Sequence, residues 1–319
     1  MSDRPTLQSI REAKHRLQGI IHETPLIESR SLSALMGGPV KFKPECLQVT
    51  GSFKIRGAFN RMAHVAQQGG AGVVTASSGN HGQAVAWAAR YFGLKAQIVV
   101  PTTAPAIKVA AAEAFGAQME FLGTHSRERL ERAQQIADEK GYVFVPPYDD
   151  PAIMSGQGTI GLEILDEWPS VRTVVVPIGG GGLISGIATA IKALSPDVRV
   201  VGVEPKGASK ALLSRQAGKR VELSHTNSVA DGLISLALGT LTYPIIEQHV
   251  DELVTVPDSD IIDAFWLLFT RLKLVVEPSG ATAAAYVLKH RLALEGPTVV
   301  VLSGGNVDPH KIPAMIPVV

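Results

Sequence analysis

Cysteine is nearly absent from this 319-residue chain, in which Cys46 stands alone. One thiol excludes an internal disulfide framework and a multi-cysteine zinc site, and it suits a reducing compartment. No histidine or other base is evident beside it in sequence, so Cys46 reads as a packing residue and not as a nucleophile. An excess of either charge is also missing. With 30 basic and 29 acidic residues the formal net charge is +1, which gives no electrostatic case for nucleic acid or an anionic membrane as a partner. Long hydrophobic runs are lacking too. The oiliest stretch, residues 261–274, is interrupted by Asp263, Arg271 and Lys273, and no run reaches the roughly 18–20 residues that span a bilayer. Residues 1–18 are polar and mixed in charge, without the basic start and apolar middle of a secretory signal. The expectation is a cytoplasmic protein with neither a nucleic-acid nor a membrane partner.

Apolar residues make up 45% of the chain, enough for one large core or two modest ones. A helical pattern over 7–20 leads through Thr24-Pro25-Leu26 to a short extended piece, and 39–43 alternates as a strand does. A rhythm then sets in. Strands are predicted at 71–76, 96–100, 118–122 and 142–145, separated by helices ending near 91, at 106–115 and at 126–140. A second run places a helix at 158–168, strands at 173–178, 198–203, 251–256 and 298–302, and helices at 182–194 and 260–273, the last capped by Asp258. Strands alternating with helices predict the α/β class, with mainly parallel sheets flanked by helices on both faces. Two such layers would place a ligand site between them, at the carboxyl ends of the strands.

Four stretches carry candidate chemistry. Lys54 follows Gly51-Ser52-Phe53 where an apolar, helix-like run begins, with Ser52 as its expected cap. Most lysines are solvated surface charges, but one pressed among Phe53, Ile55 and glycines is partly desolvated. Desolvation lowers its pKa and frees the amine for Schiff-base chemistry. Gly179, Gly180, Gly181 and Gly182 follow a strand and open a helix, where small residues let backbone N–H groups approach a phosphate. The alternatives there are a tight strand-to-helix turn and a nicotinamide site with Glu204 on the ribose. No Gly-Lys-Ser/Thr follows, which excludes a nucleoside-triphosphate P-loop. Ser77-Ser78-Gly79-Asn80-His81-Gly82 also links a strand to a helix, and its hydroxyls and amide suit a carboxylate, or simply a capped turn. Ser303-Gly304-Gly305-Asn306 ends the last strong strand.

Glu45, Gln48, Gly51-Ser52-Phe53-Lys54 and Arg56-Gly57-Ala58 together resemble the lysine segment of the pyridoxal-phosphate enzymes grouped with threonine dehydratase and serine racemase, of fold type II. The likeness continues through the other three stretches and spans nearly the whole chain. It implies that Lys54 holds pyridoxal 5'-phosphate as a Schiff base, with Phe53 and Glu277 also at the cofactor. It implies that Gly179 to Gly182 bind the cofactor phosphate, that Asn80 bonds its phenolic oxygen, and that Ser303 meets its pyridine nitrogen. A serine there, rather than an aspartate, makes the ring a weaker electron sink and favours prompt loss of a β-leaving group. Ser78 would face Lys54 across the cofactor as the second catalytic residue. Ser77, Ser78, Asn80 and His81 would take the substrate carboxylate, and Arg129 and Ser235 would reach the substrate.

The resemblance further implies a small domain over 50–145, a large one combining 1–49 with 146–319, and a homodimer. The expected reaction is dehydration and deamination of L-threonine or L-serine to a 2-oxo acid and ammonia. Serine racemisation, or dehydration of another β-hydroxy amino acid such as 3-hydroxyaspartate, is the alternative. One departure stands out. Relatives that bind a divalent cation near the phosphate loop use a glutamate, a carbonyl and a following acid. Glu204 and Ala208 match the first two, but Lys210 stands where the acid belongs, so no metal is expected.

Overall fold

Val174-Val175-Val176 and Val299-Val300-Val301 are β-branched runs with no exposed residue, as strands become when helices cover both faces of a sheet. Successive residues point to opposite sides. Val174 and Val176 join one apolar cluster with Ile160 and Ile184, while Val175 joins another with Phe265 and Ala284. The computed structural model describes residues 4–77, 79–104, 106–123, 126–289 and 296–315. Among these lie ten strands: β1 (Ile27–Glu28), β2 (Val40–Pro44), β3 (Gly72–Ala76), β4 (Lys95–Val100), β5 (Gln118–Phe121), β6 (Val143–Phe144), β7 (Thr173–Pro177), β8 (Arg199–Pro205), β9 (Glu252–Val256) and β10 (Thr298–Leu302). Twelve α-helices accompany them: α1 (Leu7–Leu17), α2 (Arg30–Met36), α3 (Lys54–Gln67), α4 (Asn80–Tyr91), α5 (Ala106–Glu113), α6 (Ser126–Lys140), α7 (Pro151–Glu167), α8 (Gly182–Leu194), α9 (Lys210–Ala217), α10 (Thr242–His249), α11 (Asp258–Leu267) and α12 (Pro278–Lys289).

The strands form two sheets. The larger has the order β1-β2-β10-β7-β8-β9 and is parallel except for β1. The smaller, β5-β4-β3-β6, is parallel throughout. The molecule is therefore α/β with mainly parallel sheets flanked by helices. Cys46 packs against the larger core, and burial pushes its thiol up to about 12, consistent with a packing role.

Helix α3 carries Lys54 at its first residue and belongs to both halves of the molecule. Ile55, Ala58, Phe59 and Met62 pack into the core of the smaller sheet. Its other side crosses α7 so closely that a Cβ at Gly156 would lie 2.5 Å from the Arg56 carbonyl oxygen. Under that crossing sits a buried quartet. Arg56 pairs with Glu45 (Nε–Oε2 2.7 Å, Nη2–Oε1 2.8 Å) and with Glu163 (Nη1–Oε1 2.5 Å, Nη2–Oε2 2.8 Å). Lys43 reaches Glu163 Oε2 at 2.6 Å. Burial opposes the Arg56 charge, but Glu45 and Glu163 more than offset it and raise its pKa.

Three local expectations differ from the structure. Ser52 does not cap α3; Phe53 takes the cap position without a side-chain bond. Ser52 is instead drawn into a bridge with Gly304, which the capping geometry does not allow for. Helix α7 starts at Pro151, earlier than the predicted 158, because Asp150 Oδ1 accepts from the N–H groups of Ala152 (2.8 Å) and Ile153 (2.9 Å). Asp258 lies inside the first turn of α11, and its carboxylate accepts from Ser228 Oγ (2.5 Å) and Val229 N (3.0 Å) instead.

Candidate active site

Strands β3, β7 and β10 all deliver their carboxyl ends to one cavity of about 360 Å³. Ser77 follows β3, Gly179 to Gly182 follow β7, and Ser303 follows β10, as expected for a ligand site on parallel sheets.

Lys54 enters at the start of α3. The turn before it is fixed from the opposite side of the cavity, since Phe53 N donates to Ser303 O (3.1 Å) and Gly305 N to Gly51 O (2.8 Å). Gly51 needs its positive φ of 70° to make this turn. Lys54 Nζ donates to Pro147 O at 2.7 Å and lies 5.1 Å from the centroid of the Phe53 ring. Burial pushes the amine down from its ordinary 10.5 to about 8, and the Glu277 carboxylate opposes this only in part.

The glycine loop is shaped by what crowds it. A Cβ on Gly180 would lie 2.3 Å from the Tyr148 ring, and Gly181 has a φ of 97°. Thr242 Oγ1 holds the loop by donating to Gly180 O at 2.7 Å. Helix α8 then starts without a side-chain cap, leaving its first N–H groups and the positive end of its dipole at the cavity wall.

Across the cavity, Asn80 opens α4. Its Nδ2 donates to Glu277 Oε1 (2.5 Å), and its Oδ1 accepts from Asn306 Nδ2 (2.8 Å). Burial, then the nearby Asp231 carboxylate, raises Glu277 to about 7. His81 is buried with Nε2 3.2 Å from Val145 O, and desolvation followed by Lys54 holds it down to about 3. It is a neutral imidazole at physiological pH. Arg129 Nη1, Ser235 Oγ and His81 Nδ1 belong to cavity-lining residues and are buried without a hydrogen-bond partner among the described residues. Burial lowers the Arg129 pKa.

The cavity thus gathers Phe53, Lys54, Ser77, Asn80, His81, Arg129, Gly179 to Gly182, Ser235, Glu277 and Ser303. Ser78 lies outside the described residues. Three lining residues had no sequence signal. Tyr148 follows two prolines in a stretch with no motif, and Pro147 contributes only a carbonyl. Lys108, whose Nζ is 3.0 Å from Asp231 Oδ2, belongs to a helix that reads as ordinary. Nothing in the sequence around Asp231 indicates a lysine partner.

The family model described as pyridoxal-phosphate dependent enzyme matches residues 17–305. The chain is 43% identical over 313 residues to the L-threonine ammonia-lyase of Thermotoga maritima, covering 98% of this chain and 78% of that protein. It is 39% identical over 307 residues to the L-threo-3-hydroxyaspartate ammonia-lyase of a Pseudomonas species, covering 96% of each. Among solved structures it is similar to maize serine racemase, with a TM-score of 0.93 and 40% identity over 97% of this chain and 96% of that one.

Proposed function

This chain belongs to the pyridoxal-phosphate dependent enzyme family, and from that premise we propose that it is an ammonia-lyase converting L-threonine or L-serine to a 2-oxo acid and ammonia. The observation that carries the reading is Lys54. Its amine, with a pKa near 8, sits in one cavity with the glycine loop and with Ser303. The cavity also fits the cofactor in shape and charge. A Cβ at Gly180, Gly181 or Gly182 would come within 3.0 Å of its neighbours, α8 offers uncapped N–H groups to a phosphate, and polar atoms of Arg129, Ser235 and His81 have no partner among the described residues.

When bound, pyridoxal phosphate supplies an electron sink for the pair released as the α-proton leaves the substrate. The remaining tasks belong to the chain. Lys54 Nζ would hold the cofactor and then accept the α-proton, its depressed pKa keeping enough neutral amine at physiological pH. Gly179 to Gly182 would bind the cofactor phosphate at the α8 N-terminus. Phe53, Asn80 and Glu277 would position the cofactor ring, Asn80 being already oriented by Asn306 and Glu277. Ser303, at the end of β10, would face the ring nitrogen as a neutral partner. Ser77, Ser78, Asn80 and His81, around the start of α4, would take the substrate carboxylate. Arg129 and Ser235 would meet the substrate with the atoms that now lack partners.

The reading divides the chain into a small domain, 50–145, holding the four-stranded sheet, and a large domain of 1–49 with 146–319, holding the six-stranded one. It also includes a homodimer, for which exposed Leu47, Phe269 and Val275 offer apolar surface, and a cytoplasmic location suited to the single cysteine. No helix among the described residues is long and apolar enough to cross a membrane.

Serine racemisation and 3-hydroxyaspartate dehydration are the second readings, and Arg129 with Lys108 in the wall favours the latter through an acidic substrate. Product analysis separates all three. The protein is incubated with L-threonine, L-serine and 3-hydroxyaspartate, and 2-oxo acids, ammonia and D-serine are measured. The expected result is 2-oxo acid and ammonia in equal amounts, fastest from threonine or serine. In Ser78→Ala, elimination should survive in part while any D-serine formation falls steeply, because only racemisation needs a proton donor on the face opposite Lys54. D-serine as the main product, or turnover confined to hydroxyaspartate, would replace the reading with its rival.

A further inference from the structure

A buried cation lies behind the glycine loop, and the proposed reaction makes no use of it. Lys210, the first residue of α9, has no exposed surface. Its Nζ is 3.1 Å from Glu204 Oε1 and donates to the main-chain oxygens of Ala208 (3.0 Å), Leu233 (3.0 Å) and Ile178 (3.3 Å). All four neighbours are acceptors. An ammonium can serve them with its three N–H groups, whereas a neutral amine would turn a lone pair toward oxygen. Burial lowers the Lys210 pKa, and the Glu204 carboxylate opposes that shift.

The identity of the carbonyls gives the cage its meaning. Ile178 immediately precedes Gly179, the first residue of the loop, and Leu233 belongs to the cavity wall that continues to Ser235. Glu204 ends at the same point from the other side, accepting Ala211 N at 2.9 and 3.0 Å and Leu212 N at 3.0 Å. One charged nitrogen therefore ties together the end of β8, the approach to the glycine loop and the wall beside it.

We propose that Lys210 is a tethered cation: a positioning residue whose ammonium fills a cage of one carboxylate and three carbonyl oxygens, and so sets the spacing of the cofactor-phosphate loop without a divalent ion. The inference rests on the reading of Gly179 to Gly182 as that loop. Charge balance supports it. Glu204 is the one carboxylate in the cage, so an ammonium neutralises it, while a divalent ion would leave a buried positive charge uncompensated. Asp231 is committed elsewhere, with Lys108 at 3.0 Å and Lys311 at 3.6 Å. The donor set therefore does not fit a divalent cation.

The test uses the holoenzyme and its apoprotein. Cofactor affinity is read by absorbance titration, and melting temperature is read with chelator, magnesium, calcium or ammonium present. For the unmodified protein, chelator and divalent ions should change neither quantity. Lys210→Ala removes the cation and leaves its oxygens. Cofactor affinity should then weaken about 10–100-fold, as for loss of buried charge-assisted bonds, and ammonium should restore part of it while magnesium should not. Lys210→Met fills the cage with an apolar chain and should be equally weak but not restored. Lys210→Asp should melt higher when calcium or magnesium is added.

Loss of cofactor from the unmodified protein on chelation, reversed by magnesium or calcium, overturns the proposal. So does an equal response of Lys210→Ala and Lys210→Met to ammonium. If the unmodified protein takes up no cofactor, the reading of the glycine loop fails instead. The cage is then decided by whether ammonium raises the melting temperature of Lys210→Ala but not of Lys210→Met. Should Lys210→Ala not fold, Lys210→Asp decides, and a folded variant without a cation response sinks the cage.

Discussion

Burial at Lys54 works against the fold and in favour of the chemistry. Below about pH 8 the folded protein must hold an ammonium in a place that disfavours it, and above that value the amine is neutral and nucleophilic. Capture of pyridoxal phosphate by the apoprotein should therefore accelerate as pH rises, with a midpoint near 8. A midpoint at the ordinary 10.5 would remove the argument. The sign for stability follows from the same shift. The unfolded chain holds this proton up to 10.5 and the folded one only to about 8, so the destabilising contribution is complete below 8 and relieved by 10.5. Lys54→Met should thus raise the melting temperature of the apoprotein at pH 7 while abolishing turnover. Borohydride reduction and peptide mapping of the holoenzyme should place the pyridoxyl group on Lys54. At this scale the sequence was informative wherever a role depends on a local run, as in Phe53-Lys54 or Gly179 to Gly182. It was silent where a role depends on a partner far along the chain. Pro147 and Lys54 are 93 positions apart, and nothing local to either marks the bond between them.

Between elements, the placement of Lys54 depends on how closely α3 approaches α7. Gly156 is what permits that approach, because a methyl there would meet the Arg56 carbonyl oxygen at 2.5 Å and the Gly57 Cα at 2.6 Å. Both are backbone atoms and cannot rotate away, so the helices must separate. Gly156→Ala should cost about 1–3 kcal/mol, the usual range for overpacking, and should lower kcat more than it changes KM, as the lysine is displaced from its task. Gly38→Ala is the control, since its added methyl meets nothing within 4 Å. Equal behaviour of the two variants in denaturant melts and in kinetics would show that the crossing does not govern the site. The elements that sequence reading missed share a physical cause. In α12, every residue from Pro278 to Leu288 is buried, so no polar face exists to reveal a helical period. Short helices such as α2 and α10 leave too few turns for a pattern to establish itself. Alternating strands and helices were visible because each buried run is bounded by turn residues, but the register was not. Strand β10, the last in the chain, inserts between β2 and β7, and no local feature of 298–302 announces those neighbours.

Seen as a whole, the molecule divides its cavity wall between two sheets. The large sheet supplies the glycine loop and Ser303, while the smaller one supplies Ser77 and the start of α4, with Lys54 between them on α3. Among the described residues, polar bonds join the two sides directly at the cavity, including Asn306 to Asn80 at 2.8 Å, Asn80 to Glu277 at 2.5 Å and Lys108 to Asp231 at 3.0 Å. The two ligands should then act on different parts of the protein. On the proposed reading the cofactor phosphate would engage the large-sheet side, whereas an amino-acid carboxylate would engage the start of α4 and draw the smaller sheet toward the cofactor. Amide hydrogen exchange can separate these effects. Adding cofactor to the apoprotein should protect amides around 179–185 and 231–235, with a smaller change at 77–83. Glycine, which has no β-substituent to lose, should then protect 77–83 in the holoenzyme and leave the glycine loop as it was. Protection of both regions to the same degree by the cofactor alone would mean that the sheets already form one rigid body. In that case substrate carboxylate recognition could not be what brings them together.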